Sequence, residues 1–338
     1  MIFFDATKTG GAGPGSGLRR VSVRLREELG AAAAAVNWDG WDRRAGAGDW
    51  FLTSELFAPE ERPGFADFLA RRPCRCAAIF HDAIPLRHPD ITWPQSVARH
   101  PAYLKMLAGF DRIWAVSEAS RADLLGFWRW QGIERPPAVE VIALGADFDR
   151  SPRAPAAPNP VAAALLCVGI VEPRKNQDFL LEVAAALWRE GLAFSLHVAG
   201  RINPHFGRPI EERLRRLGRE FPGLKYEGPA DDAALARLYG AATATVFPTR
   251  AEGCGLPLLE SLWRGVPCVC SDLPVLRENA AGGGCVEARV GDPDAWNLAL
   301  RNILTDGKLR ARLAGEAAAR PLPTWAGAAA ALQSRLSA

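Results

Sequence analysis

The sequence contains no apolar run approaching the ~20 residues a helix needs to cross a bilayer. Its opening, MIFFDATKTGG, lacks the basic start and long apolar core of a secretory signal. The expectation is a cytoplasmic protein, at most attached to the inner face of a membrane. Lysine is scarce: Lys8, Lys105, Lys175, Lys225 and Lys308 are all there are among 41 basic residues. An enzyme carrying pyridoxal phosphate on a lysine has few places to do so, and only Lys175 lies where a site is plausible. Net charge is low as well. At +3 it provides no basic field for nucleic acid, which is not an expected partner. Metal-binding patterns are missing: Cys74-x-Cys76 and Cys268-x-Cys270 have no neighbouring histidine to complete a zinc spacing. The seven cysteines are odd in number and sit mostly in apolar runs such as LLCVGI and PCVCSD, as reduced, buried thiols do. No G-x-G-x-x-G occurs between Gly10 and Gly17, so GGAGPGSG is not a dinucleotide fingerprint.

What is present is a globular composition, 49% apolar and 23% charged over 338 residues, enough for two ordinary domains. Apolar strand-like runs (MIFF, DWFLTS, CAAIFHD, RIWAVSE, AVEVIAL) alternate with helix-period segments in the first half, and the stretch Ser117 to Ser120 caps a helix through RADLLGFWRWQG. The Pro-rich stretch DRSPRAPAAPNP follows, and the alternation then restarts at ALLCVGI and continues through FSLHVAG, LKYEG, ATVFPT and CVCS. The reading is α/β, with two successive Rossmann-like, doubly wound domains at 1–150 and 161–321 and a linker at 151–160. Ligands are expected at the carboxyl ends of the strands.

Four loops after predicted strands could carry chemistry. GGAGPGSG, including Gly15, Ser16 and Gly17, could bring backbone amides to an anion, or be a plain surface loop. In GIVEPRKNQ, Arg174 and Lys175 precede a helix, where cations are unfavourable unless an anion lies between them. A diphosphate suits that pair, and so does simple solvation. In TRAEGCGLPLLESLWRGVPCVCSD, Glu252 precedes Gly253-Cys254-Gly255-Leu256, and Pro257 suits the first turn of the helix that follows. Glu260 lies about one turn inside that helix. Two carboxylates there could accept sugar hydroxyls; the plainer readings are a helix-dipole partner for Glu252 and an internal arginine pair for Glu260. The fourth loop, IFHDAIPLRHPD, places His81 and Asp82 at a strand end. Seven of the eleven tryptophans fall in the amino-terminal half, two of them in GFWRWQG beside arginine, which fits either core packing or a membrane contact.

Taken together these segments resemble family 4 of the glycosyltransferases, retaining enzymes of the GT-B fold. EGCGLPLLESLWRGVPCVCS is similar almost position by position to that family's motif of two glutamates separated by seven residues, and EPRKN to its basic donor motif. SGLRRVSVRL, FHDAIPLRHPD, DRIWAVSEASRADLL and VIALGADF resemble further family segments in order, so the likeness runs from about Ser16 to Trp325. It implies two domains facing a cleft, with a carboxyl-terminal helix (about 322–338) packing back on the first. It also implies roles. Arg174 and Lys175 would hold the donor diphosphate, Glu252 the donor sugar beside the Gly253–Leu256 amides, and Glu260 the ribose. His81 would sit near the reacting sugar, and Gly15, Ser16 and Gly17 near phosphate or acceptor. Cys254 departs from the usual Phe, and LGAD from NGVD.

The activity so implied is hexose transfer from a nucleotide diphosphate sugar, GDP-mannose being preferred, to a saccharide or lipid-linked acceptor of bacterial surface polysaccharide. No cofactor or metal is expected, since the cation pair can stabilise the leaving group. The D-x-D pairs Asp147/Asp149 and Asp292/Asp294 are read as structural. A nucleotide-sugar epimerase of related fold and an inactive nucleotide-sugar binding protein are the alternatives.

Overall fold

The computed structural model describes residues 1–11, 17–41, 45–153 and 163–337, and the chain divides into two compact units. One comprises Met1–Gly145 with Pro323–Ala338, the other Ala146–Leu322. Most of the stretch expected as a linker, and with it Gly15 and Ser16, lies outside the described residues.

The first unit is built on six parallel strands: β1 (Ile2–Asp5), β2 (Ala33–Val36), β3 (Trp50–Thr53), β4 (Arg75–Phe80), β5 (Arg112–Ala115) and β6 (Val139–Val141). Their order is β2-β1-β3-β4-β5-β6. The inner strands are buried on both faces, which is why WFLT and RCAAIF read as continuous rather than alternating apolar runs. Ser117 accepts from the Ser120 N–H at 3.0 Å and so caps helix Glu118–Trp130, at the first residue of the stretch the sequence indicates. β2 was not anticipated, because AAAV is a partly exposed edge strand with no buried pattern to read.

Helix Trp325–Ser337 returns to this unit and packs on helix Gly17–Leu29. Alanines at 328 and 329 allow close approach, while Trp325, Leu332 and Leu336 are buried. The Trp50 indole N–H donates to the Leu336 carbonyl at 2.6 Å, and Arg335 pairs with Glu140 at 3.1 Å. Gly145 is required where it stands, because a Cβ there would fall 2.3 Å from the Trp325 nitrogen.

Aromatic packing dominates the core of this unit. Trp38 meets Phe65 edge-on at 5.0 Å and Phe68 at 5.3 Å, contacts worth roughly 0.5–1.5 kcal/mol each beyond area burial. Trp38, Trp50, Trp114 and Trp128 are buried, whereas Trp93 and Trp130 are exposed, Trp130 by 78%. Core packing thus accounts for most of the tryptophan bias.

The second unit repeats the plan with β7 (Ala164–Val168), β8 (Ser195–Ala199), β9 (Leu224–Gly228), β10 (Ala244–Phe247), β11 (Cys268–Ser271) and β12 (Cys285–Ala288). All pairs are parallel, in the order β12-β11-β10-β7-β8-β9. Leu180, Leu187, Leu196, Val198, Trp296 and Leu300 join strands and helices in one apolar cluster. β12, again a part-exposed edge strand, was not anticipated. In both sheets chain progression reverses once, between β1 and β3 and between β7 and β10, which creates a topological switch point in each.

Candidate functional site

At the switch point of the second sheet, the loops after β7 and β10 are stitched together by their own polar groups. After β7 the chain makes a tight turn at Pro173–Lys175, passes through a left-handed Asn176 (φ 59°) and enters helix Gln177–Arg189. The Asn176 amide donates to the Pro248 carbonyl at 3.1 Å. Arg250 N–H and the Thr249 hydroxyl both reach the Arg174 carbonyl, at 2.8 and 3.1 Å.

This framework brings Arg174, Lys175 and Glu252 together. Glu252 Oε1 accepts from Lys175 Nζ at 2.5 Å, from Arg174 at 3.1 Å and from the Thr249 hydroxyl at 2.9 Å. Burial alone would raise the Glu252 pKa, but Lys175 and then Arg174 outweigh it and hold the carboxyl below its usual range. Burial also keeps the Lys175 ammonium below the ordinary lysine range, even with Glu252 against it. Glu172 Oε1 meets two nitrogens of Arg174 (2.9 Å to Nε, 2.8 Å to a terminal nitrogen), and its Oε2 accepts from the Asn203 amide at 2.7 Å. Sequence reading assigned nothing to Glu172, Thr249 or Asn203. Of these, Glu172 stands inside the quoted EPRKN and carried the available signal.

Glu252 leads into the glycine loop. Gly255, at φ +78°, is the residue before helix Leu256–Trp263; a Cβ there would sit 2.6 Å from a Leu276 methyl and 3.1 Å from the Asn279 amide. The backbone N–H groups of Cys254, Gly255 and Leu256 reach no acceptor among the described residues, although Gly255 and Leu256 are buried. Buried donors without partners are rare in folded chains, and here they adjoin the positive end of a helix. Burial first, then the charges of Glu252, Glu278 and Glu260, pushes the Cys254 thiol up to about 12. Both motif glutamates therefore act on this one side chain. Glu260 is 2% exposed, and its Oε2 accepts from the Tyr239 hydroxyl at 3.2 Å, a partner the sequence did not suggest.

In the first unit, the switch point holds a different charged cluster. Arg62 forks between Asp5, at the end of β1, and Glu55, just beyond β3, at 2.5 Å to each; all three are buried. Glu55 also accepts the backbone N–H groups of Lys8 and Thr9, and so fixes the stem of the glycine-rich stretch. Burial and then the Asp5 charge raise the Glu55 pKa. Neither Glu55 nor Arg62 was foreseen, since nothing in their spacing announces a shared partner.

His81 follows β4, and its Nε2 lies 2.9 Å from the Ser54 carbonyl. A carbonyl only accepts, so Nε2 carries the proton and Nδ1 is the basic nitrogen. Desolvation lowers the pKa of this ring, leaving it neutral at pH 7. Gly17 opens helix Gly17–Leu29. The D-x-D pairs have structural partners: Asp149 pairs with Arg264, and Asp292 caps helix Pro293–Thr305 through the Asp294 and Ala295 amides.

The fold is GT-B, the class of the glycosyltransferases it superposes on. Sucrose-phosphate synthase of Thermosynechococcus elongatus matches with a TM-score of 0.73 at 16% identity, over 99% of this chain and 97% of that one. Anabaena HepE in complex with UDP and glucose matches with a TM-score of 0.70 at 14% identity, over 94% and 93%. Residues 162–306, which hold Arg174, Lys175, Glu252 and Glu260, match the family model of glycosyl transferases group 1. In sequence the chain is 31% identical over 244 residues to the serotype-specific mannosyltransferase WbdA of Escherichia coli, covering 68% of this chain and 29% of that protein. It is 29% identical over 256 residues to the O-antigen chain mannosyltransferase B of the same organism, covering 72% and 65%. The matched region thus spans under a third of the first relative and about two thirds of the second.

Proposed function

We propose that the chain is a retaining glycosyltransferase of family 4, moving a hexose from a nucleoside diphosphate sugar to a saccharide or lipid-linked acceptor in the synthesis of surface polysaccharide. The observation that carries this reading is the row of N–H groups at Cys254–Leu256 that meet no acceptor among the described residues, beside the Lys175/Arg174 pair gathered on one Glu252 oxygen. Amides at a helix start suit phosphate oxygens, and the two cations suit the charge that develops when the sugar–phosphate bond breaks. The bond electrons leave with the diphosphate. The acceptor oxygen bonds to the anomeric carbon on the face the diphosphate leaves, and its proton passes to a diphosphate oxygen. Glu252 holds the cations and meets the sugar, Glu260 takes the ribose, and His81 offers Nδ1 to a sugar hydroxyl. No metal or cofactor is assigned a role.

Two relatives named as mannosyltransferases support mannose as the sugar, and GDP-mannose as the donor. The exposed Trp130, next to Arg129, supports peripheral contact with the inner membrane face, where a lipid-linked acceptor would be presented. A thermal-shift series with GDP-, UDP- and dTDP-sugars tests the donor, because a bound ligand raises the melting temperature by mass action. Stabilisation by GDP-mannose above the others is expected. No response to any nucleoside diphosphate sugar would sink the reading.

A further inference from the structure

Asn279 lies in helix Pro274–Ala280, outside the segments so far given a role, and its amide is 2.6 Å from the Cys254 carbonyl oxygen. Since the carbonyl can only accept, the near atom is the NH₂ nitrogen. The Cys254–Gly255 peptide is trans, so its C=O and N–H point in opposite directions. Holding the carbonyl on Asn279 therefore turns the Gly255 N–H away from Asn279, among the amides that find no acceptor in the described residues. Gly255 is the place where this peptide could otherwise rotate, because glycine moves between the relevant ψ and φ ranges at little steric cost. The chain also bars larger residues here, as a Cβ on Gly255 would strike Leu276. One side chain thus governs the direction of a peptide plane that local sterics leave adjustable.

We propose that Asn279 is the positioning residue of the diphosphate site: its hydrogen bond to Cys254 sets the Cys254–Gly255 peptide so that the Gly255 N–H faces the phosphate oxygens. This rests on the reading of the site as one for a nucleoside diphosphate. Asn279 touches neither sugar nor phosphate in this role and acts through the peptide alone. Its own backbone carbonyl accepts from Arg320 at 2.8 Å, which fixes the end of the helix that presents it.

The test uses the full chain with GDP, UDP and inorganic pyrophosphate as calorimetric probes. Asn279→Leu keeps the volume, removes the donor and adds no charge. Asn279→His keeps a donor, since its Nδ1–H can stand in for the amide. Lys175→Ala is the control for the site itself. Asn279→Leu is expected to weaken GDP or UDP, whichever the wild type binds, and pyrophosphate by about tenfold, the scale of a lost charge-assisted bond. Asn279→His should recover most of that loss, with all variants folded by circular dichroism. A role in folding alone would lower the melting temperature and leave the dissociation constants in place. Wild-type affinity in folded Asn279→Leu, or equal weakening in Leu and His variants, overturns the proposal while a Lys175→Ala loss leaves the diphosphate reading intact. A wild type that binds none of the three probes overturns both.

Discussion

Lys175 Nζ and Glu252 Oε1 are 2.5 Å apart across 77 residues of chain, and Arg174 shares the same oxygen. The pair is nearly dry: removing Glu252 leaves the buried Lys175 without the carboxylate it donates to, and removing Lys175 leaves Glu252 to Arg174. Lys175→Ala should weaken nucleoside diphosphate binding, and Glu252→Gln should mainly reduce kcat. Because the groups act as one unit, the double variant should lose less transfer than the two single losses combined. Additive losses in a double-mutant cycle on transfer rate would refute the coupling.

Tyr239 and Glu260 define the next prediction. If Glu260 binds ribose, Glu260→Gln should cost nucleoside diphosphate affinity worth about 1.5–3 kcal/mol, the range for a charged hydrogen bond. Tyr239→Phe, which removes the donor to Oε2, should cost less and in the same measurement. Calorimetry with GDP and UDP on each folded variant decides, and undiminished affinity in Glu260→Gln would remove the ribose role.

The two buried glutamates should respond to acid in opposite senses. Glu252 titrates below its unfolded value, so its stabilisation is present above pH ~4.5 and is lost as pH falls through the folded pKa. Glu55 titrates above its unfolded value, so the native state binds the extra proton and stability falls as pH rises from ~4.5 through the folded pKa. The wild-type advantage over Glu252→Gln should therefore shrink in acid. The wild type should lose ground to Glu55→Gln as pH rises through that window. Denaturation midpoints across pH 3–8 measure both differences, and slopes of the same sign would contradict the assignment.

Among the described residues, Arg62 is the cation that pairs with both Asp5 and Glu55. Arg62→Met leaves two buried carboxylates without a counter-charge and should destabilise the protein by about 3–5 kcal/mol. Arg62→Lys should recover only part of this, because an ammonium cannot fork between two acceptors as a guanidinium does. Urea denaturation followed by tryptophan fluorescence provides the measurement; a loss below about 1 kcal/mol would show the cluster to be dispensable.

Transfer should survive chelation. Asp149 is engaged by Arg264, and Asp292 by the start of its helix, so both D-x-D pairs already have structural work. Activity abolished by EDTA and restored by Mn²⁺ would return a metal to the mechanism.

Much of this was legible in the sequence because it depends on local rules. Parallel buried strands appear as apolar runs, Ser117 stands where a helix cap belongs, and glycine with proline marks the turn into helix Leu256–Trp263. Arg174, Lys175 and Glu252, which the fold brings together, were visible through their loops, since a switch point collects the residues that follow particular strands. What escaped depends on distant partners. Arg62 is unremarkable in PEERPG until Asp5 and Glu55 are brought to it, and Asn279 gains meaning only from the carbonyl it meets. The edge strands β2 and β12 escaped for another reason: half exposed and short, they lack the buried pattern that identifies a strand.

The return of helix Trp325–Ser337 to the first unit has a consequence for synthesis. That helix is translated only after all of Ala146–Leu322, so the unit made first is the one completed last. Until then the Trp50 indole lacks its acceptor at Leu336, and the surface of helix Gly17–Leu29 lacks its cover. At translation rates of about 5–20 residues per second, that exposure lasts roughly a quarter of a minute to a minute. The second unit has no such wait, so on the ribosome it can mature first, and the nascent amino-terminal half is the part that a chaperone would have most reason to hold.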